Sequence, residues 1–192
     1  MAGCGVIASQ LTWFVTRGSG AVALLMLTAT FVLGIPTVLS SGSRYAPRLI
    51  VQQLHRNISL VMVVFLALHI ATSVLDTFVD IRWIDAVVPF VSHYQPFWLG
   101  LGAIAVDILV AVIATSLLRT RLSYRAWRAV HLAAYACWPI AFVHGLAVGT
   151  DTGESWSIWL SLICASAVVV ASVWRLAVIA RVRSRELVGS HR

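Results

Sequence analysis

Five apolar stretches, at about 18–39, 54–78, 96–118, 127–148 and 155–180, take up most of this 192-residue chain. A run of about 20 apolar residues is the length a helix needs to cross a bilayer. The expected fold is therefore an all-α membrane protein: one domain over residues 1–192, built as a bundle of about five transmembrane helices. A mean hydropathy of +0.91 with only 11% charged residues excludes an ordinary soluble domain, which carries about 25%. The spans leave no room for a fused flavin or nicotinamide domain, and no strand followed by a glycine-rich loop announces one. Cys4, Cys137 and Cys164 form no C-x-x-C pair and read as buried structural residues. No basic segment precedes an apolar core at the N-terminus, so a cleaved signal peptide is not expected.

Charge alternates between the connections. Arg44 and Arg48 follow the first span, and Arg56 opens the second. Arg119, Arg121, Arg125 and Arg128 follow the third, and Arg181, Arg183, Arg185 and Arg192 follow the fifth. The connections after the second and fourth spans instead carry Asp80, Asp85, Asp151 and Glu154, with Arg82 alone among them. Arginine-rich segments stay in the cytoplasm. The chain is thus expected in the inner or plasma membrane, its N-terminus outside and its C-terminus cytoplasmic. Topology accounts for the pI near 10.4, and nucleic acid is not an expected partner.

Two spans carry paired histidines: His55 and His69 on the second, His131 and His144 on the fourth. Ionisable residues inside a membrane are costly and mark function. Under the expected topology both spans start inside. His55 then matches His131 in depth near the inner side, and His69 matches His144 near the outer side. Fourteen steps from His55 to His69 cover about 21 Å and return to within about 40° of the same face. Paired imidazoles facing one another across a helical bundle suit haem iron. The expectation is two stacked b-type haems per chain, held by His55, His131, His69 and His144 as iron ligands. Helix four fits an ideal geometry less well. Thirteen steps from His131 to His144 leave the rings about 140° apart, with Pro139 between them as the candidate kink.

Other polar residues have two readings each. Arg17, at the outer end of the first span, is either a cation for the outer haem propionates or an interfacial arginine reaching to headgroups. Arg48 and Arg56 stand equally for the inner haem or for positive-inside anchoring. Asp107, midway along the third span, is either a neutral carboxyl, an acceptor from a Trp, a Thr or a ligating His, or part of a proton pathway. His93 and His191 read as surface residues, and Asp80–Gln95 as an interfacial segment over the outer site.

Trp13 with Arg17-Gly18-Ser19-Gly20, the His55–His69 pair, Phe97-Trp98-Leu99-Gly100 with Thr115-Ser116, and Trp127-Arg128-Ala129-Val130-His131 with Tyr135 and His144 together resemble the ferric reductase-like transmembrane domain. That family includes ferric reductases, NADPH oxidases and the haem-binding subunit of the bacterial methionine sulfoxide reductase system. The resemblance covers about Leu11 to Val178. It implies two bis-histidine haems and electron flow from the cytoplasmic side to an acceptor outside. The donor would be a separate cytoplasmic flavoprotein reductase or a quinol. The acceptor would be an extracytoplasmic redox protein or a ferric complex. Whether the chain turns over a substrate is left open. It is alternatively a haem-binding relay or anchor subunit of a larger redox complex, or a haem-free membrane protein.

Overall fold

A computed structural model describes residues 2–39, 48–76 and 78–189. Its long elements are five helices: α1 Ala2–Leu39, α2 Arg48–Leu75, α3 Pro96–Leu117, α4 Tyr124–Val148 and α5 Ser155–Gly189. All five are long and apolar enough to cross a membrane. A single turn of 3-10 helix, Trp83–Ala86, lies between α2 and α3. The spans agree with the sequence expectation except at their ends. α1 begins at Ala2 rather than near residue 18, and α2 at Arg48 rather than 54. Arg17 had marked the start of the first span, but an ion pair inside the protein lets the helix run through it. α5 continues to Gly189, beyond residue 180.

The starts of α3 and α4 have local causes. Pro96 sits in the first turn of α3, where its missing N–H costs nothing. Ser123 caps α4 by accepting a hydrogen bond from the Ala126 N–H, 3.3 Å. α4 runs unbroken through Pro139.

Burial is inverted relative to a soluble protein. Among the buried residues small side chains dominate: Ser19, Ala23, Thr28, Ala103, Ala105, Cys137, Cys164 and Ala171. Large apolar groups such as Val64, Leu162, Val170 and Leu176 face outward. Lipid removes the hydrophobic drive between helices, so close approach of small residues holds the bundle together. α1 packs mainly on α2, α3 on α4, and α5 on α1. α2 and α4, which carry the paired histidines, make no extensive contact with each other.

Midway along the bundle a buried layer closes the interior. It contains Leu27 of α1, Met62 of α2, Leu109 of α3, Cys137 and Trp138 of α4, and Cys164 and Val168 of α5. The Trp138 indole N–H donates to Thr28 Oγ1, 2.9 Å, and that hydroxyl donates to the Leu24 carbonyl, 2.8 Å. Each polar atom of this pair is therefore satisfied where no water could serve it. Met62 stands seven residues from both His55 and His69, and Cys137 and Trp138 fall midway between His131 and His144. The layer thus divides the bundle into two levels. One lies at the end bearing Asp85, Asp151 and Glu154; the other lies at the end bearing Arg119, Arg121 and Arg125.

Candidate functional site

The acidic end holds His69 and His144. His69 donates from Nδ1 to the Thr16 carbonyl on α1, 2.8 Å. His144 donates from Nδ1 to the Trp98 carbonyl on α3, 2.9 Å. A carbonyl only accepts, so each Nδ1 carries the ring proton and each Nε2 keeps its lone pair. The two rings lie near enough to interact electrostatically. Both line a cavity of about 400 Å³, which Trp13, Arg17, Leu66, Tyr94, Phe142 and Trp156 also border. That volume is in the range of small-molecule and cofactor sites.

Arg17 lies on the rim of this cavity and is tied there. Its Nε pairs with Asp151 Oδ2 at 2.5 Å, and its guanidinium lies 4.6 Å from the centre of the Trp13 ring. The segment between α2 and α3 forms another wall through Val79, Ile81, Asp85 and Tyr94. One clasp holds it. Arg82 donates from its backbone N–H and from Nη2 to the Asp85 carboxylate, at 2.9 and 2.8 Å, and from Nη2 to the Val91 carbonyl, 3.0 Å. Hydrogen bonding from the Arg82 side chain holds the Asp85 carboxyl below the usual carboxylate range, against the opposing effect of burial.

The arginine end holds His55 and His131, again close enough to interact electrostatically. Their support differs. His131 stacks on Trp127, 4.9 Å between ring centres and 22° between planes. The Arg119 guanidinium lies 4.5 Å from the centre of the Trp127 ring. Among the described residues neither His131 Nδ1 nor His55 Nδ1 has a close, well-aligned hydrogen-bond partner, while the His55 ring still interacts with the Thr30 backbone. The Trp127 Nε1–H is buried without a partner as well.

The four histidines are thus brought together in the pairs their depths implied. His144 reaches across to α3, while His131 lies against Trp127 one turn back on its own helix. Arg56 is exposed on α2. Arg48 opens α2, but its side chain, like Arg44, Arg185, His191 and Arg192, lies outside the described residues. Asp107 is exposed on α3 and orients neither histidine of α4 or α2, whose Nδ1 partners, where they exist, are backbone carbonyls. His93 is exposed in the connecting segment, near Asp85.

Sequence reasoning passed over three features. Asp151 as the partner of Arg17, and Arg119 as the cover of Trp127, are contacts between segments that carry no local signal. Arg175, inside the fifth span, lies 4.7 Å from the centre of the Tyr135 ring. An arginine that far into an apolar run is itself a signal that a partner exists.

Fold and site together define a multi-pass membrane protein with two stacked levels of paired imidazoles. The family model described as ferric reductase like transmembrane component matches residues 19–143, more than half of the chain. The chain belongs to that family, whose members are transmembrane electron-transfer oxidoreductases. The match is narrower than the expected span from Leu11 to Val178: it takes in His55, His69 and His131 and stops one residue before His144. No match was found among curated proteins or among solved structures.

Proposed function

We propose that the chain conducts single electrons across the membrane through two b-type haems, one at each level. The observation that carries this reading is the pairing of imidazoles at two depths about 21 Å apart, on two helices that face each other without packing together. The donor set suits an iron already held in a macrocycle. Each level offers two imidazoles, and among the described residues no group of three or more His, Cys, Asp or Glu could hold a bare ion. His69 and His144 would hold one haem and His55 and His131 the other, and the haems would supply reversible one-electron chemistry.

The protein's own residues supply the rest. His69 and His144 present Nε2 because their other nitrogen is engaged. Arg17, on the cavity rim, offers a cation to propionates while Asp151 fixes its position. The layer around Met62 and Trp138 keeps water and ions from following the electron. Arg48 and Arg56 serve the inner level by charge. The arginine-bearing end faces the cytoplasm, and electrons come from a flavoprotein reductase or a quinol. They leave at the acidic end to an extracytoplasmic redox protein or ferric complex, beneath the segment clasped by Arg82 and Asp85.

The test is conduction in sealed vesicles. Ferricyanide is trapped inside and dithionite added outside. Haem-loaded protein should reduce the trapped ferricyanide well faster than protein-free vesicles, and His69→Ala and His131→Ala should each abolish the gain. Equal rates with and without protein would overturn the reading.

A further inference from the structure

The two anchored histidines share a close-fitting device. Each Nδ1 reaches the carbonyl of a residue lying four positions before a glycine: Thr16 before Gly20, and Trp98 before Gly102. In a helix the side chain of residue i+4 covers the turn toward its N-terminus, and so lies over the carbonyl of residue i. Glycine leaves that carbonyl bare. Its second lone pair is then open to a donor from a neighbouring helix, while the first holds the helix.

The space is filled by the imidazoles themselves. A Cβ on Gly20 would stand 2.9 Å from His69 Nδ1 and 3.0 Å from its Cε1. A Cβ on Gly102 would stand 2.7 Å from His144 Cε1 and 2.8 Å from Nδ1. Neither ring could keep its place beside alanine.

The arginine end departs from this at both positions. α1 repeats the motif fourteen residues on, with Thr30 and Gly34, opposite His55. There the fit is loose: a Cβ on Gly34 would stand 3.8 Å from His55 Cε1, an ordinary contact. On α3, thirteen or fourteen residues beyond Gly102, as His131 lies thirteen before His144, stand Thr115 and Ser116. Their hydroxyls turn back onto the carbonyls of Ala111 and Val112, 2.7 Å each. The Ala111 and Val112 carbonyls are thereby taken, and among the described residues His131 Nδ1 has no partner.

We infer that Gly20 and Gly102 are positioning residues that lock His69 and His144 as Nδ1–H tautomers through the Thr16 and Trp98 carbonyls, a hold that His55 has only as a looser approach to the Thr30 backbone and that His131 does not share among the described residues. As far as it concerns haem, this rests on the functional reading above. A ring that donates Nδ1–H to a carbonyl is a more basic ligand through Nε2 and favours ferric iron. Loosening the hold should therefore raise the midpoint potential of the acidic-end haem.

Nitrogen NMR of the full chain labelled with ¹⁵N-histidine, in detergent without haem, tests the lock directly. The signals are assigned with His69→Asn and His144→Asn. His69 and His144 should appear as Nδ1–H tautomers in the wild type. Gly102→Ala should return His144 to the Nε2–H form that free imidazole favours and leave His69 unchanged. Gly20→Ala should do the converse, and Gly34→Ala should change neither. Alanine raises intrinsic helix propensity by about 1 kcal/mol over glycine, so a lost lock is not a weakened helix. A wild-type His144 with Nε2–H, or a tautomer indifferent to both substitutions, overturns the inference. If a Gly→Ala chain does not accumulate, the wild-type tautomers decide alone. With haem loaded, Gly102→Ala should raise one midpoint potential and leave the other in place; movement of both alike counts against the assignment. A wild type that binds no haem defeats the functional reading, while the tautomers still judge this one.

Discussion

The acidic-end and arginine-end histidine pairs have nearly the same spacing in sequence and are built differently. His69 and His144 are fastened to backbone carbonyls, border a cavity, and sit beside the Arg17–Asp151 pair. Among the described residues His55 and His131 have no close hydrogen-bond partner at Nδ1; the His55 ring approaches the Thr30 backbone, and His131 is held by stacking on Trp127 beneath Arg119. The difference does not lie in the histidines. It lies in what the neighbouring helices offer: glycines tight against both rings at the acidic end, and at the other a looser Gly34 beside His55 with Thr115 and Ser116 at the matching positions of α3. A ligand pattern fixes where a group can sit, and the facing helix decides how firmly and in which tautomer its ligands are held.

The comparison depends on the two levels being separate. Trp138→Ala should break that separation most severely, because it empties the middle of the layer and strips Thr28 of its indole partner. Truncating a buried aromatic costs about 3–5 kcal/mol. Thermal unfolding in detergent should show a large fall, and a value near wild type would mean that the layer does not hold the bundle. Asp151→Asn should weaken the acidic end alone, by about 1.5–3 kcal/mol for a hydrogen bond between charged groups. A double-mutant cycle with Arg17→Gln isolates the pair; purely additive losses would show no coupling.

The clasp over the acidic end adds a pH dependence. The Asp85 carboxyl is lower in the folded protein than its free value of 3.8, so its contribution is present in full above about pH 4. It is lost as pH falls further, through the folded value, when the carboxylate that accepts from Arg82 is protonated. Protection against amide exchange across residues 80–95, with the intrinsic pH dependence divided out, should fall on acidification below about pH 4, and Asp85→Asn should abolish that dependence. The smallest effect belongs to the other end. Arg119→Ala should cost about 0.5–1 kcal/mol, the worth of an exposed cation over an aromatic ring. It should disturb His131 signals and leave those of His144 unmoved.

Much of this was legible in sequence because its causes are local. Apolar length gave the five spans, and charge gave the two ends of the bundle. The histidine depths gave the pairs. What escaped depends on contacts between helices. Nothing near Arg17 names Asp151, and its charge made the first span look shorter than α1 is. The contacts of His131 with Trp127 and of His144 with the Trp98 carbonyl were likewise hidden, because a helical wheel records where Cβ points and not where a ring ends. Asp107 drew attention by its charge, yet it faces outward. Gly20 and Gly34 were legible as small residues, and their spacing equals that of His69 and His55. Their use became visible only with α1 laid antiparallel along α2.

The central claim is one haem held at each level. The most direct measurement is a reduced-minus-oxidised visible spectrum with haem quantitation on purified wild type, His69→Ala and His131→Ala. The account expects low-spin b-type bands at about two haems per chain in the wild type, and about one in each variant. A wild type without haem, or a haem content that neither substitution lowers, would contradict it.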